Sequence, residues 1–177
     1  MVDINSDIDI YDHMFDHLTF RKICEKVRDA SWKFGHTSYD PSCPEYEICL
    51  KFWKLELDDD MFFSDYLLNK IQEKTQQSFT LERVYANGHT YGLDGIFHQD
   101  SFDENGRTFL LHANLDWKNS WGGGTHFYND TDELRTVMFQ PNRGILFPGR
   151  VFHSAAPITR LCNELRITVA WKLQKNG

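Results

Sequence analysis

A chain of 177 residues has room for one domain with a true core and not for two, and 41% hydrophobic against 25% charged residues is an ordinary globular balance. No apolar run approaches the ~20 residues of a membrane helix, and the acidic start, MVDINSDIDIYDH, lacks the basic-then-apolar pattern of a secretory signal, so a cytoplasmic protein is expected. The net charge of −7 argues against a surface built to grip a phosphate backbone, so no nucleic-acid partner is expected.

Two helices are predicted first. Residues 18–34 place Phe20, Ile23, Val27 and Phe34 near one face, with Asp16 as the cap. A second helix begins near Asp60 and carries Phe63, Leu67 and Ile71 at helical spacing. The two prolines of YDPSCPEYE mark an irregular connection between them, and residues 48–57 alternate weakly enough to be a strand or an extended lead-in. Of the four cysteines, Cys24, Cys43, Cys49 and Cys162, none forms a C-x-x-C pair. All are expected reduced, although a Cys43–Cys49 disulfide stays open.

After Phe79 the texture changes to short β-type runs separated by Gly, Asn, Asp and Pro turns. The runs are residues 81–86, 95–100, 108–115, 124–128, 135–139, 144–148, 150–156 and 165–173. Eight such runs predict a sandwich or barrel, here a mostly β, jelly-roll (cupin-like) double-stranded β-helix with the N-terminal helices packed on one sheet. The whole chain, 1–177, reads as one domain, with 1–78 a helical support and 79–173 the β core.

Three features carry chemistry. His98 and Asp100, two apart on a run, point to one side and offer an imidazole and a carboxylate to a common point. His153 lies 53 residues after Asp100, the separation between neighbouring second and seventh strands of a jelly roll. Together the three can form a facial triad that leaves coordination positions open on Fe(II). On the last run, Arg166, Thr168 and Ala170 share a face opposite Ile167, Val169 and Trp171. An inward guanidinium needs an anion, and a dicarboxylate would supply one, with Thr168 adding a hydroxyl. Pairing of Arg166 with Glu164 or with solvent is the structural alternative.

His98-x-Asp100, then His153, then a basic residue on the last strand resembles the 2-oxoglutarate/Fe(II) oxygenase superfamily. The segments LERVYANGHTYGLDGIFHQD, NLDWKNSWGGGTHFY, GILFPGRVFHSAAPIT and LRITVAW are similar to its prolyl 4-hydroxylase-like branch, over roughly residues 80–173. The resemblance implies that His98, Asp100 and His153 hold Fe(II) and that Arg166 takes the distal carboxylate of 2-oxoglutarate. Tyr85 matches a position whose hydroxyl contacts that co-substrate, and Tyr91 lies in a loop with substrate-facing residues. The implied reaction consumes O2, with ascorbate as an optional reductant, and couples decarboxylation of 2-oxoglutarate to succinate and CO2 with hydroxylation. A prolyl residue in a peptide or protein is the leading substrate, and a small molecule or free amino acid the alternative. The His153-to-Arg166 interval of 13 is longer than usual for that branch, which leaves Arg160 as a second basic residue to weigh.

Rival readings remain at this point. A non-catalytic jelly-roll binding module needs no metal, but has no reason to keep all four of His98, Asp100, His153 and Arg166. A cupin-type enzyme would show H-x-H, and a halogenase would lack a carboxylate at Asp100. His112 and His126 lie on strand-like runs and could approach a pocket. His13, His17, His36 and His89 read as surface or loop residues. Trp117 and Trp121 are expected to pack on the barrel rim, with Gly122, Gly123 and Gly124 making a tight turn rather than a phosphate cradle.

Overall fold

The first helix, α1 (His17–Arg28), begins where its sequence says it should: the Asp16 carboxylate accepts the amides of Leu18 and Thr19 at 3.0 Å. It ends six residues before Phe34, which lies instead in a strand and is exposed. This corrects the predicted helix; Asp29 closes it, and Phe34 packs on Trp53, 5.1 Å between ring centroids. The computed structural model describes residues 3–38, 50–129 and 133–177; the YDPSCPEYE connection, Cys43 and Cys49 fall outside these. Cys24 and Cys162 are free thiols. Among the described residues no helix is long and apolar enough to cross a membrane.

The second helical stretch starts as a π turn, Phe62–Leu67, and continues as α2 (Leu68–Thr75). Asp60 opens it, its carboxylate accepting the Phe62 amide at 3.0 Å. Phe63, Leu67 and Ile71 are fully buried, as their spacing predicts. Gln76, left-handed at φ 55°, stops α2.

Among the described residues, ten strands form two antiparallel sheets. They are β1 (Asp9–Tyr11), β2 (Lys33–His36), β3 (Phe52–Glu56), β4 (Phe79–His89), β5 (Gly106–His112), β6 (Thr125–Tyr128), β7 (Leu134–Val137), β8 (Gly144–Pro148), β9 (Phe152–Ala155) and β10 (Arg166–Lys175). The large sheet runs β1-β8-β5-β10-β4-β3-β2 and the small one β7-β6-β9. Residues 1–78 are therefore more than a helical support, since β1, β2 and β3 extend the large sheet at both edges. The predicted run 95–100 is not a regular strand. It passes along β9 with one bridge, His98 N–H to His153 O at 3.1 Å and His153 N–H to His98 O at 3.0 Å. Gly95 permits the close pass, because a Cβ there would meet the Ala155 nitrogen at 3.0 Å.

Two packed layers result. The helices cover the outer face of the large sheet, where Phe20, Ile23, Val27, Phe63, Leu67 and Ile71 join Val169, Trp171 and Leu173 of β10. A second apolar cluster between the sheets, including Phe127, Val137, Ile145 and Phe147, plugs part of the barrel. The rest of the interior is a cavity of about 910 Å³.

Candidate metal centre

One ligand atom from each of His98, Asp100 and His153 falls within 4.8 Å of the others at the cavity wall. Each imidazole is oriented by backbone. Nδ1 of His98 sits 3.0 Å from Ile96 O, and Nδ1 of His153 sits 2.9 Å from Val151 O. A carbonyl can only accept, so the ring proton belongs on Nδ1 and the Nε2 lone pair faces Asp100. The two Nε2 atoms lie 3.4 Å from Asp100 Oδ1 (His98) and 3.2 Å from Oδ2 (His153). Burial lowers the His153 pKa more than Asp100 raises it, so this ring is neutral. Burial pushes Asp100 up, but the Lys172 ammonium overcomes it and holds the carboxyl well below its ordinary range. Two imidazoles and one carboxylate suit Fe(II) with open positions.

Asp100 is braced from behind. The Thr108 hydroxyl donates to Oδ2 at 2.6 Å, and the Lys172 ammonium pairs with the same oxygen. Lys172 was not anticipated from sequence, although it continues the alternation Arg166, Thr168, Ala170. Burial lowers the pKa of this buried amine, yet its pairing with Asp100 raises it further.

Arg166 lies on the same face of β10, 2% exposed. Its guanidinium donates to the carbonyls of Gly123 and, at 3.1 Å, Gly124, with the Thr125 hydroxyl 3.5 Å away. Every one of these partners is neutral. Glu164 is exposed, and no carboxylate pairs with Arg166 among the described residues. Burial drops its pKa to about 9, the signature of a cation lacking its anion. The glycines serve the approach: Gly123 has φ +73°, and a Cβ there would meet Trp117 at 3.0 Å and Arg166 Cδ at 3.1 Å. Thr125 pairs with Ala155, two residues beyond His153 on β9, a rise of ~7 Å.

Tyr85 and Thr168 also line the cavity. So do His36 and His89, which corrects their reading as surface residues. His89 lies across from Arg166 and Asn87 across from Thr168, and each keeps a buried atom, His89 Nδ1 and Asn87 Oδ1, without a partner. Both atoms await a polar ligand or water. His89 shows no sequence signal beyond its period-two relation to Tyr85. The remaining residues stay out of the cavity. His112 is buried, stacked 4.2 Å from Phe139, with Nδ1 accepting the Gln140 amide. His126 meets Thr136 at 2.8 Å. Arg160 is exposed and lies 6.0 Å from the ring of Tyr91, itself exposed. Trp117 and Trp121 meet edge to face at 5.1 Å, and the Trp117 indole donates to Gly122 O at 2.9 Å.

No family model and no curated protein sequence matches the chain. Solved structures do resemble it. A Trichoplax adhaerens prolyl hydroxylase in complex with a hypoxia-inducible-factor oxygen degradation domain peptide fragment aligns at TM-score 0.67 and 15% identity, covering 97% of this chain and 85% of the other. An oxidoreductase of the 2-oxoglutarate–Fe(II) oxygenase family from Burkholderia pseudomallei aligns at TM-score 0.69 and 8% identity, covering 95% and 85%. HygX from Streptomyces hygroscopicus, with nickel, 2-oxoglutarate and hygromycin B bound, aligns at TM-score 0.62 and 10% identity, covering 95% and 82%. The chain has the double-stranded β-helix fold of the 2-oxoglutarate/Fe(II) oxygenases, prolyl hydroxylases among them.

Proposed function

We propose that the protein is an Fe(II)- and 2-oxoglutarate-dependent oxygenase. The observation that carries this is a buried, anion-free Arg166 in the same cavity as the His98, Asp100 and His153 donor set. His98, Asp100 and His153 would hold Fe(II), which with 2-oxoglutarate and O2 supplies the decarboxylation to succinate and CO2 that drives hydroxylation. Arg166 would anchor the distal carboxylate of 2-oxoglutarate with a two-pronged guanidinium, flanked by Thr168, Thr125 and Tyr85. Lys172 and Thr108 keep the Asp100 carboxylate in one orientation, so that its remaining lone pairs face the centre. The apolar plug of Phe127 and Phe147 closes one side of the site to water.

For the substrate, a prolyl residue in a peptide is the leading reading, supported by the motif resemblance and the likeness to the peptide-bound Trichoplax enzyme. A small molecule is the alternative, supported by the likeness to HygX. The test is succinate release with Fe(II), 2-oxoglutarate and 18O2, with proline-containing peptides and free amino acids run in parallel. Peptide-stimulated succinate with one 18O in the product is expected, and His153→Ala should abolish both. Stimulation by free amino acids alone would shift the substrate class and keep the oxygenase. No succinate under any condition would favour a non-catalytic jelly roll.

A further inference from the structure

Positive charge gathers at the metal end of a cavity in a chain that is acidic overall. Around the ring of Tyr85 stand Lys54 Nζ at 4.7 Å, the Arg83 guanidinium at 5.4 Å and Lys172 Nζ at 5.7 Å from its centroid. Two of the three are neutralised. Lys54 pairs with Glu56 at 2.8 Å, and Lys172 pairs with Asp100. Arg83 has no carboxylate partner among the described residues. It lies on β4 directly across from Lys172, six residues along the strand pair from Arg166 and His89. Among the described residues, the cavity lining contains three cations, Arg83, Arg166 and Lys172, against the carboxylate of Asp100. A diacid seated on the buried Arg166 would leave the exposed Arg83 free. Phe102, 87% exposed, and Phe152, 42% exposed, line the same cavity. An exposed cation and exposed apolar side chains lining one cavity fit a ligand with an acidic group on an apolar frame.

Resting on the oxygenase reading above, we infer that the substrate carries a carboxylate or phosphate held by Arg83 beside the metal, with its apolar part against Phe102 and Phe152. The overall charge of −7, which taken alone favours a neutral or basic substrate, does not describe this cavity. Arg83 is then a substrate-selecting residue.

The test uses the full chain loaded with Mn(II), which reports proximity by paramagnetic relaxation, and saturated with 2-oxoglutarate so that Arg166 is occupied. Phenylacetate, phenyl phosphate and phenylacetamide are titrated separately, and relaxation of their nuclei is followed. The acids should relax saturably, and phenylacetamide should bind about tenfold more weakly, as expected for loss of a charge-assisted contact. Arg83→Gln should erase that preference, and Arg83→Lys should restore most of it. The tighter of the two acids identifies carboxylate or phosphate as the group recognised. Equal binding of acid and amide, a preference that survives in Arg83→Gln, or no saturable relaxation by either acid would overturn the proposal. Failure of Mn(II) to bind appears first, as unchanged water-proton relaxation, and would overturn the metal centre and this inference together.

Discussion

Strand β10 has two faces of opposite character. Ile167, Val169, Trp171 and Leu173 point into the layer covered by helices, and all belong to one apolar cluster. Arg166, Thr168, Ala170 and Lys172 point into the barrel, where they line the cavity. The first face has its polar needs met internally: the Trp171 indole donates to Phe63 O at 2.9 Å. The second leaves a guanidinium without an anion, and across from it on β4 a histidine nitrogen and an amide oxygen without partners. A ten-residue stretch thus holds the fold together on one side and forms a polar binding wall on the other.

The largest effect expected from breaking this contrast is on the covered face. Trp171→Ala removes a fully buried side chain and should cost about 3–5 kcal/mol of unfolding free energy in denaturant titration. A loss below about 1 kcal/mol would mean that the helical layer does not anchor the sheet.

A smaller effect distinguishes the cavity face by pH. Burial first, then Lys54 and Arg83, hold the His36 pKa down to about 4, and burial first, then Arg166, hold that of His89 down to about 3, against an ordinary 6.5. Both are neutral in the folded protein and protonate more readily when it unfolds. Their contribution is therefore fully present above about pH 6.5 and is lost progressively as pH falls toward their folded values. The apoprotein should lose stability between pH 6.5 and 5, and His89→Gln should flatten that slope by about one proton. An unchanged slope would mean that His89 is solvated and already titrates normally.

Much of this was legible in the sequence where local pattern and tertiary role agree. The alternation from Arg166 to Trp171 assigned both faces of β10, and the H-x-D spacing placed His98 and Asp100 on one side although their segment makes only one bridge. The last helical turns were misread because Phe34 continues the apolar period of α1 while its backbone has already turned into β2, a strand selected by pairing with β3. The three-residue β1 carries no local signal, because its partner is β8, over a hundred residues away. His36, His89 and Arg83 reach the cavity through the ordering of β2, β3 and β4, which only the assembled sheet defines. Lys172 was within reach, since it lies one alternation step beyond Ala170 on a face already assigned to the interior.

The central claim is that the three-ligand centre and Arg166 form one site for metal and diacid. An anaerobic titration tests it most directly: Fe(II) is added to the protein, then 2-oxoglutarate, and the weak visible charge-transfer band of the chelate is followed. One Fe(II) per chain should bind, and the band should rise saturably with 2-oxoglutarate. Arg166→Met should keep the Fe(II) stoichiometry and move the 2-oxoglutarate midpoint up by about 10–100-fold, the worth of a buried charge-assisted pair. Arg160→Met should leave that midpoint in place. Absence of the band, or an unmoved midpoint in Arg166→Met, would contradict the account.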